Sequence, residues 1–269
     1  HVSADGTQLF YASSSFGPNL DLYVRSIGAN TTVRLTTLEG DARFPKANPA
    51  FPKTLAFCSN EGGTWEIYVM PDYSEPRKVT VVSEGGADSI HPTWSPDGRY
   101  LAYCTAAGPE GEWILKVKDL KTARTHTLET VDGLLPEWSP SGNRIVFQRM
   151  KRRDRWYSSL WTVEFEEGEA KNLTLVFDAE DFAAINPSWS PDGRRIVFAT
   201  VAKSRDRAGV LDEGDDLWTV QEDGSRATRL TTSPAADWLP AWCPDGKIYF
   251  ISDRDGTQRV WSIAPVPEK

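Results

Sequence analysis

The sequence predicts an all-β fold, a six-bladed β-propeller built from four-stranded blades. Three observations predict this fold: a short motif that recurs along the chain, the spacing of its copies, and the turn chemistry inside each copy. The motif is clearest at residues 92–103, which read Pro-Thr-Trp-Ser-Pro-Asp-Gly-Arg-Tyr-Leu-Ala-Tyr. Three further clear copies begin at Pro136, Pro187 and Pro240, and two weaker copies begin near Val2 and Pro45.

The copies recur at the interval expected for propeller blades. Steps of 45, 47, 44, 51 and 53 residues separate the corresponding positions Val2, Ala47, Trp94, Trp138, Trp189 and Trp242. A four-stranded blade takes about 40 to 50 residues, but some helical repeats have a similar length. The turn chemistry favours propeller blades over helical repeats, because Ser-Pro-Asp-Gly places Ser first, Pro second and Gly fourth in a type I turn. The motif therefore predicts a tight turn between two strands.

Each repeat divides into four strands, a to d. Strand a is the Pro-x-Trp-Ser stretch, strand b is the apolar run after the turn, strand c carries pairs such as Leu217-Trp218, and strand d is a short polar run such as 229–231. Strand b is apolar on consecutive residues, which suits a sheet covered on both faces, whereas the half-polar strand d suits an outer edge. We expect one domain, 1–269, with blades at approximately 1–44, 45–91, 92–135, 136–186, 187–239 and 240–269.

The last blade is incomplete in this sequence. After strand c of blade 6 only residues 264–269 follow, and they contain no candidate strand d. We expect either that an upstream segment supplies this strand or that the edge stays open to a partner strand.

Composition limits the partners of the chain. With 269 residues, of which 39% are hydrophobic, it can bury a core. The formal net charge of −8 argues against nucleic acid and against an anionic membrane surface. No apolar run approaches the roughly 18 to 20 residues of a membrane span, so no membrane insertion is expected. Cys58, Cys104 and Cys243 form neither a disulfide framework nor a metal-binding pair, and we expect buried small residues there.

The motif Trp-Ser-Pro-Asp-Gly, followed by a strand such as Ile196-Val197-Phe198, resembles the TolB-type propeller repeat, a relative of the WD repeat. The resemblance covers essentially the whole chain. It implies one of two functions. TolB-like propellers include a periplasmic protein of the Tol-Pal system that binds protein partners, and similar blades form the gating domain of prolyl oligopeptidase-type serine peptidases. The first function is a non-enzymatic scaffold for a protein or peptide, periplasmic or secreted. The second is the propeller of a larger peptidase, and fold alone does not choose between them.

An aspartate recurs in the loops that lead from strand d to the next strand a, which the predicted fold places at the mouth of the propeller channel. The candidates for binding there are Asp41, Asp88, Asp132, Asp181, Asp237 and the adjacent Trp238. Carboxylates that lie close together raise each other's pKa unless a cation neutralises them. A basic or amino-terminal peptide group would fit, and so would Ca²⁺ bound by Asp41, Asp88 and Asp132. The alternative is that these aspartates cap turns and accept hydrogen bonds from backbone N–H groups. No other cofactor is expected.

The loops from strand b to strand c in blades 4 and 5 are longer than in the other blades. The blade 4 loop carries the second candidate binding set, Arg152, Arg153, Arg155, Trp156 and Tyr157. Arginine and aromatic residues are enriched at binding hot spots. Solvated charges, with the aromatic side chains folded back on the blade, are the alternative interpretation.

No catalytic residue is predicted. The chain has three histidines, at positions 1, 91 and 126, and lacks both a Gly-x-Ser-x-Gly motif and a His-Glu-x-x-His motif. His91 precedes Pro92 at the start of an inner strand, where Asn48, Leu135, Asn186 and Leu239 are expected at the matching places. We therefore expect His91 to have a packing or hydrogen-bonding role.

Overall fold

The computed structural model describes residues 1–29, 31–75, 79–108, 112–150, 158–180, 182–202 and 215–265. Within these ranges the regular structure is β-strand, and no helix is long and apolar enough to cross a bilayer. The described strands, in chain order, are β1 (Gln8–Ser13), β2 (Asp21–Ser26), β3 (Thr32–Arg34), β4 (Ala42–Ala47), β5 (Leu55–Ser59), β6 (Glu66–Met70), β7 (Thr80–Val81), β8 (Ser89–Trp94), β9 (Tyr100–Ala106), β10 (Trp113–Asp119), β11 (Thr125–Asp132), β12 (Leu134–Trp138), β13 (Arg144–Met150), β14 (Ser158–Glu166), β15 (Glu169–Phe177), β16 (Phe182–Trp189), β17 (Arg195–Ala202), β18 (Leu217–Gln221), β19 (Thr228–Arg229), β20 (Asp237–Trp242), β21 (Ile248–Ser252) and β22 (Arg259–Ile263).

In the described part of the chain these strands form six antiparallel sheets, one for each repeat. Their orders are β1-β2-β3, β4-β5-β6-β7, β8-β9-β10-β11, β12-β13-β14-β15, β16-β17-β18-β19 and β20-β21-β22. We number these sheets blades 1 to 6. Blade 1 keeps a remnant of strand a, because Val2 forms an isolated bridge to Leu9. In the described part of blade 6, strands a, b and c are present and no strand d follows.

The Ser-Pro-Asp-Gly motif forms the predicted turn. In blade 3 the N–H of Gly98 donates to the carbonyl of Ser95 at 2.9 Å, and Gly98 has a φ of 69°. The Ser95 hydroxyl donates to the Asp97 carboxylate at 2.5 Å and accepts from the N–H of Tyr100 at 2.9 Å. The side chains of the motif thus satisfy the backbone at the point where strand a becomes strand b.

The core lies between consecutive blades. Strand b contributes aromatic side chains that are at most 1% exposed, namely Phe57, Tyr103, Phe147, Phe198 and Phe250. Burial of one such ring contributes about 1.5 to 3 kcal/mol. Two units are compact by their internal contacts, 1–138 and 139–269. In the first unit, apolar clusters join blade 1 to blade 2 and blade 2 to blade 3. In the second unit, they join blade 4 to blade 5 and blade 5 to blade 6.

The repeated tryptophan of strand a contacts the preceding blade in blades 3 and 4. The indole N–H of Trp94 donates to the carbonyl of Lys46 at 2.9 Å. The ring of Trp138 stacks on Tyr100 with a centroid distance of 6.1 Å. The three cysteines are free and buried, which confirms the expectation of small interior residues.

A polar network joins strand c to strand d in blade 5. The carboxylate of Asp216, which is 3% exposed, forms a short ion pair with Arg229 and accepts from the Thr231 hydroxyl at 3.0 Å. The Thr231 hydroxyl also accepts from the N–H of Leu217 at 3.0 Å. Blade 1 repeats this arrangement with other residues, namely Asp21, Arg34, Thr36 and Leu22. Neither network is among the sequence predictions, although each is formed by an Asp-Leu pair and an Arg-Leu-Thr triplet that occur in both blades.

A candidate binding surface on the innermost strands

Strand a of five blades carries a residue in the left-handed backbone conformation, directly before its proline. The φ angles lie between 51° and 57° for Phe44, His91, Leu135, Asn186 and Leu239. Strand pairing shifts register at this point in blades 2, 3, 5 and 6, so Phe44, His91, Asn186 and Leu239 lie in β-bulges. Non-glycine residues rarely adopt this conformation, and such strained positions cluster at functional sites. The inner strands are therefore a candidate location for a functional site.

The structure corrects one expected match. Asn48 is not the blade 2 equivalent of His91; Phe44 is. Asn48 instead lies in the turn that follows strand a, where its side-chain oxygen accepts from the N–H groups of Ala50 and Phe51 at 2.9 and 3.0 Å. It thus has the role that Ser95 has in blade 3.

In the first unit, the side chains of these bulges lie against one another. The rings of Phe44 and His91 meet edge to face with a centroid distance of 4.3 Å. The Cys104 sulfur lies 3.6 Å from Nδ1 of His91 on the other side. Burial, together with the nearby Lys46 ammonium, lowers the pKa of His91 to about 4. His91 is therefore neutral at physiological pH, and its packing role agrees with the sequence expectation.

An ion pair lies beside these rings. Nζ of Lys46, on β4, donates to the Glu137 carboxylate, on β12, at 2.7 Å, and the two side chains are 24% and 26% exposed. The Thr93 hydroxyl, on β8, accepts from the N–H of Trp138 at 3.0 Å. We call Phe44, His91, Lys46 and Glu137 the inner-strand cluster. It combines an aromatic surface with one charge of each sign.

The second unit has its own inner-strand contacts. The Ser188 hydroxyl accepts from the N–H of Trp242 at 3.2 Å, which repeats the bond between Thr93 and Trp138. The N–H of Asn186 donates to Oε1 of Gln148 at 3.4 Å. Leu239 is 50% exposed, so this bulge presents an apolar side chain to solvent.

Two of the recurring aspartates cap the start of strand c in the preceding blade. Oδ1 of Asp41 accepts from the N–H of Leu20 at 2.8 Å, and Oδ1 of Asp88 accepts from the N–H of Trp65 at 2.9 Å. Arg43 donates to the other oxygen of Asp41 at 2.7 Å. The Leu20 bond first, and then Arg43, lower the pKa of Asp41 below its ordinary value. These contacts match the capping alternative.

Of the other described aspartates in this series, Asp132 keeps the backbone geometry and Asp237 departs from it: the N–H of Gly133, the residue after Asp132, donates to the carbonyl of Trp113 at 2.7 Å, as Ala42 does to Leu20. Asp132 lies in β11 opposite Ile114. Asp237 is fully buried, and its two carboxylate oxygens accept from Nη2 of Arg254 at 2.9 and 3.0 Å. The N–H of Asp237 donates to the carbonyl of Asp215. In blade 2 the corresponding bond is donated by Ala42, the residue after Asp41, so Asp237 corresponds to Ala42 and not to Asp41. The carboxylate of Asp237 thus belongs to the blade interior, one position away from the solvent-facing series.

The other sequence candidates divide into two groups. Trp238 is partly buried and packs against the core between blades 5 and 6. Asp181 and the loop residues Arg152, Arg153, Arg155, Trp156 and Tyr157 lie outside the described residues. Among the residues that the structure describes, no three His, Cys, Asp or Glu side chains are grouped so that they could hold a metal ion.

Six consecutive antiparallel blades, five of them with a left-handed residue before the proline of the innermost strand, define the class of protein as a β-propeller. The family model of the TolB beta propeller domain matches residues 1–174, and the chain belongs to this family. The predicted fold class, an all-β six-bladed propeller of TolB type, is confirmed.

Relatives of two kinds match the chain. The Tol-Pal system protein TolB of Anaeromyxobacter dehalogenans (strain 2CP-C) is 32% identical over 136 residues, which are 49% of this chain and 27% of that protein. Dipeptidyl-peptidase 5 of Porphyromonas gingivalis is 26% identical over 275 residues, which are 95% of this chain and 37% of that protein. The crystal structure of TolB from Acinetobacter baumannii superposes with a TM-score of 0.73 at 15% identity, over 97% of this chain and 62% of that one. The chain thus spans well under half the length of either curated relative.

Proposed function

We propose that the chain is a non-enzymatic propeller that binds a protein or peptide, and that the inner-strand cluster is its docking surface. The observation that carries the proposal is Phe44, which is 42% exposed although its ring is fixed against His91 and its backbone is held in a bulge. A ring that is already ordered loses little conformational entropy on binding. Aromatic anchors of this kind dominate the energetics of many interfaces.

The charges of the cluster suit a peptide. A peptide carries hydrogen-bond donors and acceptors along its backbone and one charge at each end. Lys46 and Glu137 offer a donor and an acceptor, each about three-quarters shielded from water, where a charge-assisted hydrogen bond is stronger than at a fully exposed site. The apolar ring selects a side chain, and the ion pair orients the chain that carries it.

The proposal assigns no reaction to the cluster. His91 and Cys104 are in contact, but burial raises the pKa of the Cys104 thiol and lowers that of the imidazole. The pair is therefore a neutral thiol beside a neutral imidazole, whereas a nucleophilic cysteine requires a thiolate with a lowered pKa.

Other sequence candidates extend the proposed surface. Asp88 and Asp132 are half-buried and are proposed as flanking contacts. Arg152, Arg153, Arg155, Trp156 and Tyr157 stay a proposal from the sequence alone, because they lie outside the described residues. Ca²⁺ at Asp41, Asp88 and Asp132 stays a proposal from the sequence, because these three described side chains are not grouped around one point in the structure. A rise in melting temperature in millimolar Ca²⁺, lost on changing Asp88→Asn, would support it, and an unchanged melting temperature would remove it.

Selection from a displayed peptide library tests the docking surface. Peptides selected on the wild-type chain are then measured by calorimetry against Phe44→Asn, since Asn186 occupies the same left-handed position in blade 5 and preserves the backbone. Phe51→Asn is the matched control, because Phe51 is 58% exposed in a different turn. We expect at least a tenfold weaker affinity for Phe44→Asn and no change for Phe51→Asn. Equal affinities for both variants would overturn the proposal.

A second function is favoured by one specific finding. The match to dipeptidyl-peptidase 5 spans nearly all of this chain but little more than a third of that enzyme. The chain would then be the propeller of a peptidase whose catalytic residues lie in another domain. Reading the gene on both sides of residues 1–269 tests this directly. A hydrolase domain of roughly 250 residues with a serine nucleophile would establish it, and flanking sequence without one would exclude it.

We also propose a periplasmic or secreted location, in the bacterial envelope. The similarity to Tol-Pal system proteins supports it. Fractionation of the native cells with an antibody against the chain tests it, and recovery in the cytoplasmic fraction would contradict it.

A further inference from the structure

Arg43 occupies a position that is apolar in other blades of the same register. It pairs with Cys58 of strand b, and the residues with the corresponding pairing in blades 3, 5 and 6 are Ile90, Ile185 and Trp238. These three side chains pack against the apolar clusters between blades. Blade packing therefore does not require a guanidinium at this place.

The guanidinium of Arg43 is held in one orientation. Its central carbon lies 5.2 Å from the ring centroid of Trp65, so it stacks on the indole. Nη2 donates to the Asp41 carboxylate at 2.7 Å. The backbone of Trp65 is anchored in turn, because its N–H donates to Asp88 at 2.9 Å and its carbonyl accepts from the N–H of Ser89 at 2.7 Å. A group that is already ordered loses little entropy when it binds a ligand.

Most of the hydrogen-bond donors of this guanidinium are unused. A guanidinium carries N–H groups on each of its nitrogens. Among the described residues, the Arg43 side chain donates to Asp41, and its Nε atom is buried without a partner. In six other ion pairs the arginine also donates from Nε; these arginines are Arg34, Arg99, Arg144, Arg229, Arg254 and Arg259. The Arg43 side chain is 43% exposed, so an acceptor from solvent can approach the group.

We infer that Arg43 binds a carboxylate of the peptide whose side chain packs on Phe44. The inference rests on the proposed function and adds a ligand requirement to it. Arg43 directly precedes Phe44, so their Cα atoms are about 3.8 Å apart, and the ligand carries its carboxylate close to its apolar side chain. A carboxylate accepts two parallel N–H bonds from a guanidinium, which a single amide carbonyl does not. The C-terminal carboxylate and the side chain of Asp or Glu supply the same two oxygens.

Asp41 positions the guanidinium and limits the strength of the contact. The Leu20 N–H first, and then Arg43, lower the pKa of Asp41, so its carboxylate is ionised near neutral pH. The ion pair of Asp41 and Arg43 has no net charge, and the gain for a ligand carboxylate comes from directed hydrogen bonds. We expect a preference of about tenfold for a carboxylate over a neutral amide.

Two pairs of small probes test this preference on the full chain. N-acetyl-leucine and N-acetyl-leucinamide share a side chain and differ in the C-terminal carboxylate. Acetyl-Leu-Glu-amide and acetyl-Leu-Gln-amide differ in a side-chain carboxylate. Binding is followed by the NMR signals of the Trp65 indole N–H and the Arg43 Nε–H. We expect the acid member of at least one pair to bind about tenfold more tightly, and the pair that responds identifies the source of the carboxylate.

Variants assign the preference to Arg43. Arg43→Ile should remove it and leave the affinity for N-acetyl-leucinamide unchanged, because Ile90 and Ile185 occupy the same place in other blades. Arg43→Lys, which keeps the charge without the planar fork, should keep part of the preference and serves if Arg43→Ile does not fold. Arg25→Ile is the matched control, since it removes an exposed positive charge elsewhere, and it should behave as the wild type.

The failure of this inference can be told apart from the failure of the proposed function. Equal affinity of the wild type for both members of each pair, or no response of Trp65 to any probe, would overturn the carboxylate contact. A preference that survives in Arg43→Ile would also overturn it and would assign the carboxylate to another cation, such as Lys46. Phe44→Asn should weaken the acid and the amide by the same factor. If it binds both as the wild type does, docking on Phe44 is wrong even where the preference depends on Arg43.

Discussion

Replacing Arg229 with leucine should destabilise the chain through the carboxylate that it leaves behind. Asp216 is 3% exposed, and without Arg229 the bond from Thr231 is the side-chain hydrogen bond that its carboxylate keeps among the described residues. Removing one partner of a buried ion pair costs about 3 to 5 kcal/mol. Because the Arg229 side chain is 29% exposed, water reduces this cost, and we expect about 2 to 3 kcal/mol in the free energy of unfolding. The melting temperature should fall by roughly 4 to 12 °C.

The pH dependence of this loss identifies its cause. Burial already raises the pKa of Asp216 in the wild type, and removing Arg229 raises it further. A carboxyl whose pKa is raised on folding stabilises the fold below its unfolded pKa of about 3.9, and this contribution is lost as the pH rises through the folded pKa. The difference between wild type and Arg229→Leu should therefore be smaller near pH 4.5 than at pH 7.

Urea denaturation followed by tryptophan fluorescence measures both effects. Asp216→Leu combined with Arg229→Leu should be more stable than Arg229→Leu alone, because the double variant buries no unpaired charge. Arg259→Leu is the matched control, with an expected loss below about 0.5 kcal/mol from its exposed ion pair. A loss for Arg229→Leu that does not change with pH, or a double variant less stable than the single one, would refute the reasoning.

Three further results are expected. The His91 ring should titrate near pH 4 by NMR. The stability that its neutral form contributes is then complete above about pH 6.5 and is lost as the pH falls towards 4. A measured pKa near 6.5 would contradict the burial of the ring. The thiols of Cys58, Cys104 and Cys243 should not react with a disulfide reagent at pH 8 in the folded chain, because burial raises the pKa of each thiol. All three should react once guanidinium has unfolded the chain, and rapid reaction of the folded chain would contradict their buried positions. Leu239→Asn should change the free energy of unfolding by less than about 0.5 kcal/mol, because Asn tolerates the left-handed conformation. Leu239→Val should cost about 1 to 2 kcal/mol, because a β-branched side chain does not. Equal stability of the two variants would contradict the left-handed backbone at this position.

The sequence was sufficient for the fold because its signals are local. The Ser-Pro-Asp-Gly turn needs only neighbouring residues such as Ser95 and Gly98, and the run of apolar residues in strand b predicts by itself that this strand is buried. The bulge before each proline was not predicted. It adds one residue to the inner strand without a sequence signature of its own, so the sequence alone pairs Asn48 with His91, although Phe44 holds the left-handed position.

The candidate site was predicted less well, because its contacts join distant parts of the chain. Lys46 and Glu137 are 91 residues apart, and nothing in either neighbourhood indicates the ion pair. The spacing of Asp237, three residues before its proline instead of four, was a usable signal that its carboxylate has a different environment.

A crystal structure of the chain bound to a peptide selected from the displayed library tests the central claim most directly. We predict six blades, with the peptide side chain on the rings of Phe44 and His91 and its polar groups bonded to Lys46 or Glu137. A peptide bound elsewhere, with Phe44 uncovered, would contradict the account.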